Sequence, residues 1–218
     1  MVEAVVEDVA EHRRLRRVYR VWAPLYDTIM RPFFRGARKQ SIAQLQLASG
    51  ARLLMVGVGT GLDLPLLQDA DVVAFDLTPS MLARARTKAH PRAAFFLADA
   101  AHLPFKDAMF DAAILHLVIA VTADARGVLS ETLRTLNDRG GASVFDKFAP
   151  PHGVSSLRRI INVGVRFIGT DITRSFEEMA RGLPAVVERD APAVGGTYRL
   201  ILLRKVPRSE ERASPARL

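Results

Sequence analysis

Between residues 51 and 205 the chain alternates short apolar runs with amphipathic stretches. Runs at 52–57, 72–76, 93–98, 110–116, 141–147, 184–190 and 197–204 have the length and composition of strands. Stretches at 62–68, 79–89 and 124–138 carry helical spacing. Strands separated by helices predict a parallel sheet covered on both faces. The last two strands are joined only by Ala191-Pro192-Ala193-Val194-Gly195-Gly196, too short for a crossover helix. They are expected to close the sheet as an antiparallel hairpin. The predicted class is α/β: a Rossmann-like, seven-stranded, mostly parallel sheet with N-terminal helices.

The flanking segments read differently. Val2, Val5, Val9, Leu15, Val18, Tyr19 and Trp22 recur at i+3/i+4 spacing and predict a helix over 2–22. Its acids come first and its arginines last, an order that complements the helix dipole. Ala23-Pro24 ends it. A second helix is expected from about Pro32 to Leu47, closed by Ser49-Gly50. Within 153–169, Arg158, Arg159, Asn162 and Arg166 share one helical face, while Leu157, Ile160, Ile161, Val165 and Ile168 share the other. We expect a single domain over 1–205, with 1–48 as a helical lid or membrane-contact region and 150–182 as an amphipathic insertion. Residues 206–218 read as a disordered tail.

Composition narrows the partners. The 218 residues are 49% hydrophobic and contain no cysteine, which excludes disulfides and thiolate metal sites. No metal site is expected. No apolar run approaches the ~20 residues that span a bilayer, and the N-terminal residues lack the pattern of a secretory signal. The net charge of +8 and the pI near 10.5 favour an anionic partner. The arginines fall on amphipathic helices with little aromatic interleaving, so a membrane surface is expected rather than nucleic acid. The alternative for 153–169 is a helix packed on the sheet with its polar face in water.

Candidate chemistry centres on Leu53-Leu54-Met55-Val56-Gly57-Val58-Gly59-Thr60-Gly61, an apolar strand running into three alternating glycines. Such a turn lets backbone and helix N–H groups approach a ligand closely. Asp76 ends the next apolar run, where a carboxylate can accept both hydroxyls of a ribose. The third glycine comes one residue too early for a dinucleotide fingerprint. The spacing suits a loop around a ribose and an amino-acid tail. At the end of the following strand, Asp99 can accept from an adenine amine and the Ala100 N–H can donate to a ring nitrogen. His116 ends the fourth strand at the same sheet edge, where ligands of such sheets bind.

With these elements in order, the chain resembles the class I S-adenosylmethionine-dependent methyltransferases, most strongly over about 50–150. Asp76-Leu77-Thr78-Pro79-Ser80-Met81-Leu82 looks like the family's ribose-binding strand end, and Arg139-Gly140-Gly141 like its turn before strand five. The resemblance implies S-adenosylmethionine as cofactor and S-adenosylhomocysteine as product. It implies that Gly57, Val58, Gly59, Thr60 and Gly61 cradle the methionine end, that Asp76, Leu77 and Met81 hold the ribose side, and that Asp99 and Ala100 hold the adenine. Arg38 can pair with the methionine carboxylate, and Tyr26 and His116 are further cofactor candidates. One position departs from the pattern: Met55 stands two residues before Gly57, where the family carries an acid. Its loss either weakens binding or leaves the role to another polar group.

The stretch Tyr19-Arg20-Val21-Trp22-Ala23-Pro24-Leu25-Tyr26-Asp27, continuing through Phe33-Phe34-Arg35-Gly36-Ala37-Arg38, together with Val56-Gly57-Val58-Gly59-Thr60-Gly61-Leu62-Asp63-Leu64-Pro65, resembles the soluble-type bacterial phosphatidylethanolamine N-methyltransferases and their close relatives. Quinone and menaquinone C-methyltransferases share the Tyr-Asp and much of the core. The first resemblance implies a phospholipid amine as acceptor and a cytoplasmic protein at the inner face of an anionic membrane. Tyr19, Tyr26 and His116 are candidate catalytic residues. Trp22, Lys147, Arg158, Arg159, Arg166 and Tyr198 are candidates for substrate or membrane contact. Each has a plainer reading: the tyrosines and Trp22 as packing residues, His116 as a hydrogen-bonded strand end, Lys147 as a solvated lysine. The alternative functions are a C-methyltransferase for a quinone or other small acceptor, or a cofactor-binding protein without turnover. The sequence leaves the oligomeric state open.

Overall fold

The computed structural model describes residues 33–88, 90–149, 174–196, 198–207 and 209. Tyr19, Trp22, Tyr26, Arg158, Arg159 and Arg166 lie outside them, as do the expected helices over 2–22 and 153–169 and most of the 206–218 tail.

Helix α1 (33–43) leads into β1 (Arg52–Val56), β2 (Asp71–Asp76), α2 (Pro79–Arg86), β3 (Ala93–Leu97) and β4 (Phe110–His116). There follow α3 (Ala125–Thr135), β5 (Leu136–Lys147), the short α4 (Phe176–Ala180), β6 (Ala185–Ala193) and β7 (Tyr198–Lys205). The sheet order is β3-β2-β1-β4-β5-β7-β6. Strands β1 to β5 pair in parallel, and β7 runs antiparallel to both β5 and β6. The chain builds outward from β1 to β3, then returns to place β4 on β1's other side. That reversal opens a crevice at the carboxyl ends of β1 and β4.

Alternation along β1 assigns its side chains to two cores. Leu54 and Val56 join Phe75, Leu115, Val144 and Ile201 on one face. Leu53 and Met55 join Leu64, Leu82, Ala85 and Leu202 on the other. Met55 is 2% exposed, a core residue in fact as well as type. A third, aromatic cluster gathers Phe34 of α1 with Phe145 and Leu200, and Leu117 and Tyr198 pack against it.

Three elements differ from the sequence expectation. The helix over 62–68 is a single 3-10 turn, Leu64–Leu66. Pro65 removes an N–H there, and Asp63 makes no side-chain cap. The second helix ends at 43 rather than 47, because Gln46 turns left-handed at φ 49°. Helix α3 stops at Thr135, and β5 begins at once with a register break opposite β4, where Arg139 has φ 61°.

The hairpin forms as expected, turning through 194–196. Helix α4, not foreseen within 150–182, is capped by Ser175 accepting from the Glu178 N–H. Arg126 of α3 donates to the carbonyls of Met179 and Arg181 at its far end. No described helix is long and apolar enough to cross a membrane.

Candidate active site

A cavity opens at the carboxyl ends of β1, β2 and β4 and reaches the end of β3. The loop after β1 forms its floor. Gly57 takes φ +65°, and a Cβ there would lie 2.7 Å from Val118 Cγ2. Gly59 takes φ +54°, and a Cβ there would meet nothing within 4 Å. Its missing side chain keeps the cavity open to a ligand. Gly61, expected in the cradle, does not line the cavity. It is the packing glycine of the loop, since its Cβ would lie 2.8 Å from Leu64 and 3.0 Å from the Ala85 backbone.

Asp76 fastens this loop to α2. Its Oδ2 accepts from the Gly59 N–H at 2.8 Å and its Oδ1 from the Thr78 N–H at 2.9 Å. Burial raises its pKa, and those two N–H groups oppose the rise. The Thr78 side chain and the Leu77 N–H also favour its ionised form. Asp99 accepts from the Ala101 N–H at 3.0 Å and, with Ala100, lines the cavity's far end. Leu77 and Met81 line it between these acids.

At the opposite end sits a buried polar network. Arg38 Nη1 donates to Asp63 Oδ2 at 2.6 Å, and His116 Nδ1 donates to the same oxygen at 2.9 Å. His116 Nε2 lies 2.8 Å from Ser41 Oγ, which is 2.5 Å from Ser143 Oγ; Gln44 Nε2 donates to Ser143. Burial disfavours charge on Asp63, but His116 and Arg38 outweigh it and hold the carboxyl below its ordinary range. Both ring nitrogens of His116 are engaged within this network.

Of the residues picked from sequence, Arg38, Val58, Thr60, Asp76, Asp99, Ala100 and His116 meet around one cavity. Lys147 and Tyr198 stand apart from its walls, cross-strand partners on β5 and β7 with the ammonium 5.6 Å from the ring centroid. Sequence reading missed Asp63, Leu117 and Val118. Asp63 was in plain view after the glycine loop, but nothing local distinguishes it from a helix cap.

A nucleoside with an amino-acid tail fits this arrangement. Paired carboxylates stand at the ends of β2 and β3, an open glycine turn lies between, and charged groups of both signs close the other end.

The protein-family model "Methyltransferase domain" matches residues 54–144. A phosphatidylethanolamine N-methyltransferase of Cereibacter sphaeroides is 34% identical over 143 residues, 63% of this chain and 70% of that protein. A demethylmenaquinone methyltransferase of Thermus thermophilus is 34% identical over 180 residues, 76% of this chain and 81% of that one. The solved structure of a geranyl diphosphate methyltransferase in complex with S-adenosylmethionine shares the fold. Its TM-score is 0.65 at 14% identity, covering 78% of this chain and 85% of the other. On the strength of relatives aligned along most of their own length, this chain belongs to the class I S-adenosylmethionine-dependent methyltransferases.

Proposed function

We propose that this methyltransferase acts at an anionic membrane surface on the amine of a phospholipid headgroup. The observation that carries the reading is the ground beside the cofactor cavity. Leu117 lines the cavity and also packs on the aromatic cluster of Phe34 and Phe145. Tyr198 lies 4.9 Å from Phe34 and 5.5 Å from Phe145, with Lys147 over its ring.

S-adenosylmethionine supplies an electrophilic methyl on its sulfonium. The protein's part is to hold a neutral amine in line with that methyl and to exclude water. Each methylation brings the nitrogen nearer to a permanent cation, which an aromatic face favours by about 0.5–2 kcal/mol. Burial pushes the Lys147 ammonium down from its usual range, with Asp146 partly offsetting. A lipid phosphate would give that ammonium an anion. The Cereibacter relative's name points to the same substrate.

A second reading, C-methylation of a quinone ring, is favoured by the longer alignment with the Thermus protein, 180 residues against 143.

The test offers labelled S-adenosylmethionine with vesicles of phosphatidylethanolamine and phosphatidylglycerol, or with a detergent-dispersed demethylmenaquinol. We expect label in the lipid amine, with transfer falling as salt screens the anionic surface. Label in the quinol and none in the lipid would overturn the proposal.

A further inference from the structure

Two residues before the first glycine of the loop the chain carries no acid. Met55 occupies the position and packs in an apolar cluster with Leu53, Leu64 and Leu82. The cavity nevertheless contains a buried carboxylate with an unused oxygen. Asp63 is 3% exposed and lines the cavity. Its Oδ2 takes both the Arg38 and His116 donors, while its buried Oδ1 has no hydrogen-bond partner among the described residues.

Asp63 occupies the position of a helix cap before Leu64–Leu66, yet its side chain makes no cap bond. A carboxylate oxygen buried without a donor is costly, so folding leaves Oδ1 to be satisfied from the cavity. The other acids there are committed elsewhere. Asp76 holds two backbone N–H groups, and Asp99 holds the Ala101 N–H at the end of β3.

We propose that Asp63 Oδ1 accepts the α-ammonium of S-adenosylmethionine. A charge-assisted N–H···O bond forms, and no proton needs to change hands. The neighbouring Arg38 also lines the cavity. The Arg38–Asp63 pair thus offers both signs of charge to a zwitterionic amino-acid end. Arg38 and His116 keep Asp63 ionised and fix its rotamer, which makes them positioning residues for the ammonium.

The test is calorimetric binding of two ligands to the full-length protein: S-adenosylhomocysteine, and its analogue lacking only the α-amino group. Asp63→Asn is expected to weaken S-adenosylhomocysteine about 10- to 100-fold and the des-amino analogue less than about twofold. An equal loss for both ligands would assign Asp63 a purely structural role and overturn the proposal. So would unchanged affinity for both. Asp63→Glu retains the charge that Arg38 and His116 require, and covers the case in which the asparagine variant fails to fold. It is expected to lose affinity for S-adenosylhomocysteine selectively, because the carboxylate moves by one methylene. An equal effect on the two ligands would again overturn the assignment.

Discussion

Arg38 Nη1 and Asp63 Oδ2, 2.6 Å apart, join α1 to the loop after β1 through a buried ion pair. Removing one partner of such a pair leaves an uncompensated buried charge. Arg38→Ala is therefore expected to cost about 3–5 kcal/mol of stability, read as the shift in urea denaturation free energy. The same change in Asp124, whose side chain caps α3 at the surface, is expected to cost about 1 kcal/mol.

The glycines of the loop separate stability from binding. Gly59→Ala adds a Cβ that touches nothing, so its cost is the left-handed backbone alone, about 1–2 kcal/mol. The new methyl stands in the cavity, and affinity for S-adenosylhomocysteine is expected to fall while the protein still folds. Gly61→Ala adds the same backbone strain and a collision with Leu64 and the Ala85 backbone. Thermal melts of the two variants are expected to show the larger loss at Gly61, the variant further from the ligand.

Asp76→Asn tests the carboxylate between loop and helix. An amide has one acceptor oxygen and so can satisfy only one of the Gly59 and Thr78 N–H groups, leaving its NH2 facing the other. Calorimetry is expected to show S-adenosylhomocysteine affinity reduced at least about tenfold, with the loss concentrated in enthalpy.

Asp146 makes a pH prediction. Burial pushes its carboxyl up to about 6, against N–H donors from Ala120 and Lys147. A folded pKa above the unfolded value means that the native state binds the extra proton. The associated stability is full below about pH 4 and is lost as pH rises through about 6. Urea denaturation is expected to show about 2–3 kcal/mol of decline across that window. In Asp146→Asn, which does not titrate, that portion of the slope should vanish, whatever the variant's offset.

The succession of strands, the closing hairpin and the acids at the ends of β2 and β3 were legible because their signals are local, whereas the order of strands in the sheet was not read. Short apolar runs mark strands, and a glycine or carboxylate at a run's end marks the ligand edge. The turn at Leu64–Leu66 was misread as a helix because its apolar spacing outweighed Pro65. Asp63 was overlooked for a different reason. Its meaning lies in Arg38, 25 residues before it, and His116, 53 residues after it, and no local window contains both. His116 was legible as a strand end at the ligand edge, but its partner Ser41 lies 75 residues away and was not.

Helix α1 is seated by the last strands of the fold. Phe34 packs on Phe145 and Leu200, and Ser41 hydrogen-bonds Ser143. A chain emerging from the ribosome therefore carries its glycine loop, its ribose-side acid and the Arg38–Asp63 pair long before Phe34 and Ser41 have anything to rest against. The wall of the cofactor pocket that α1 supplies thus rests on strands made more than 90 residues later, and the pocket's shape depends on β5 and β7 being in place.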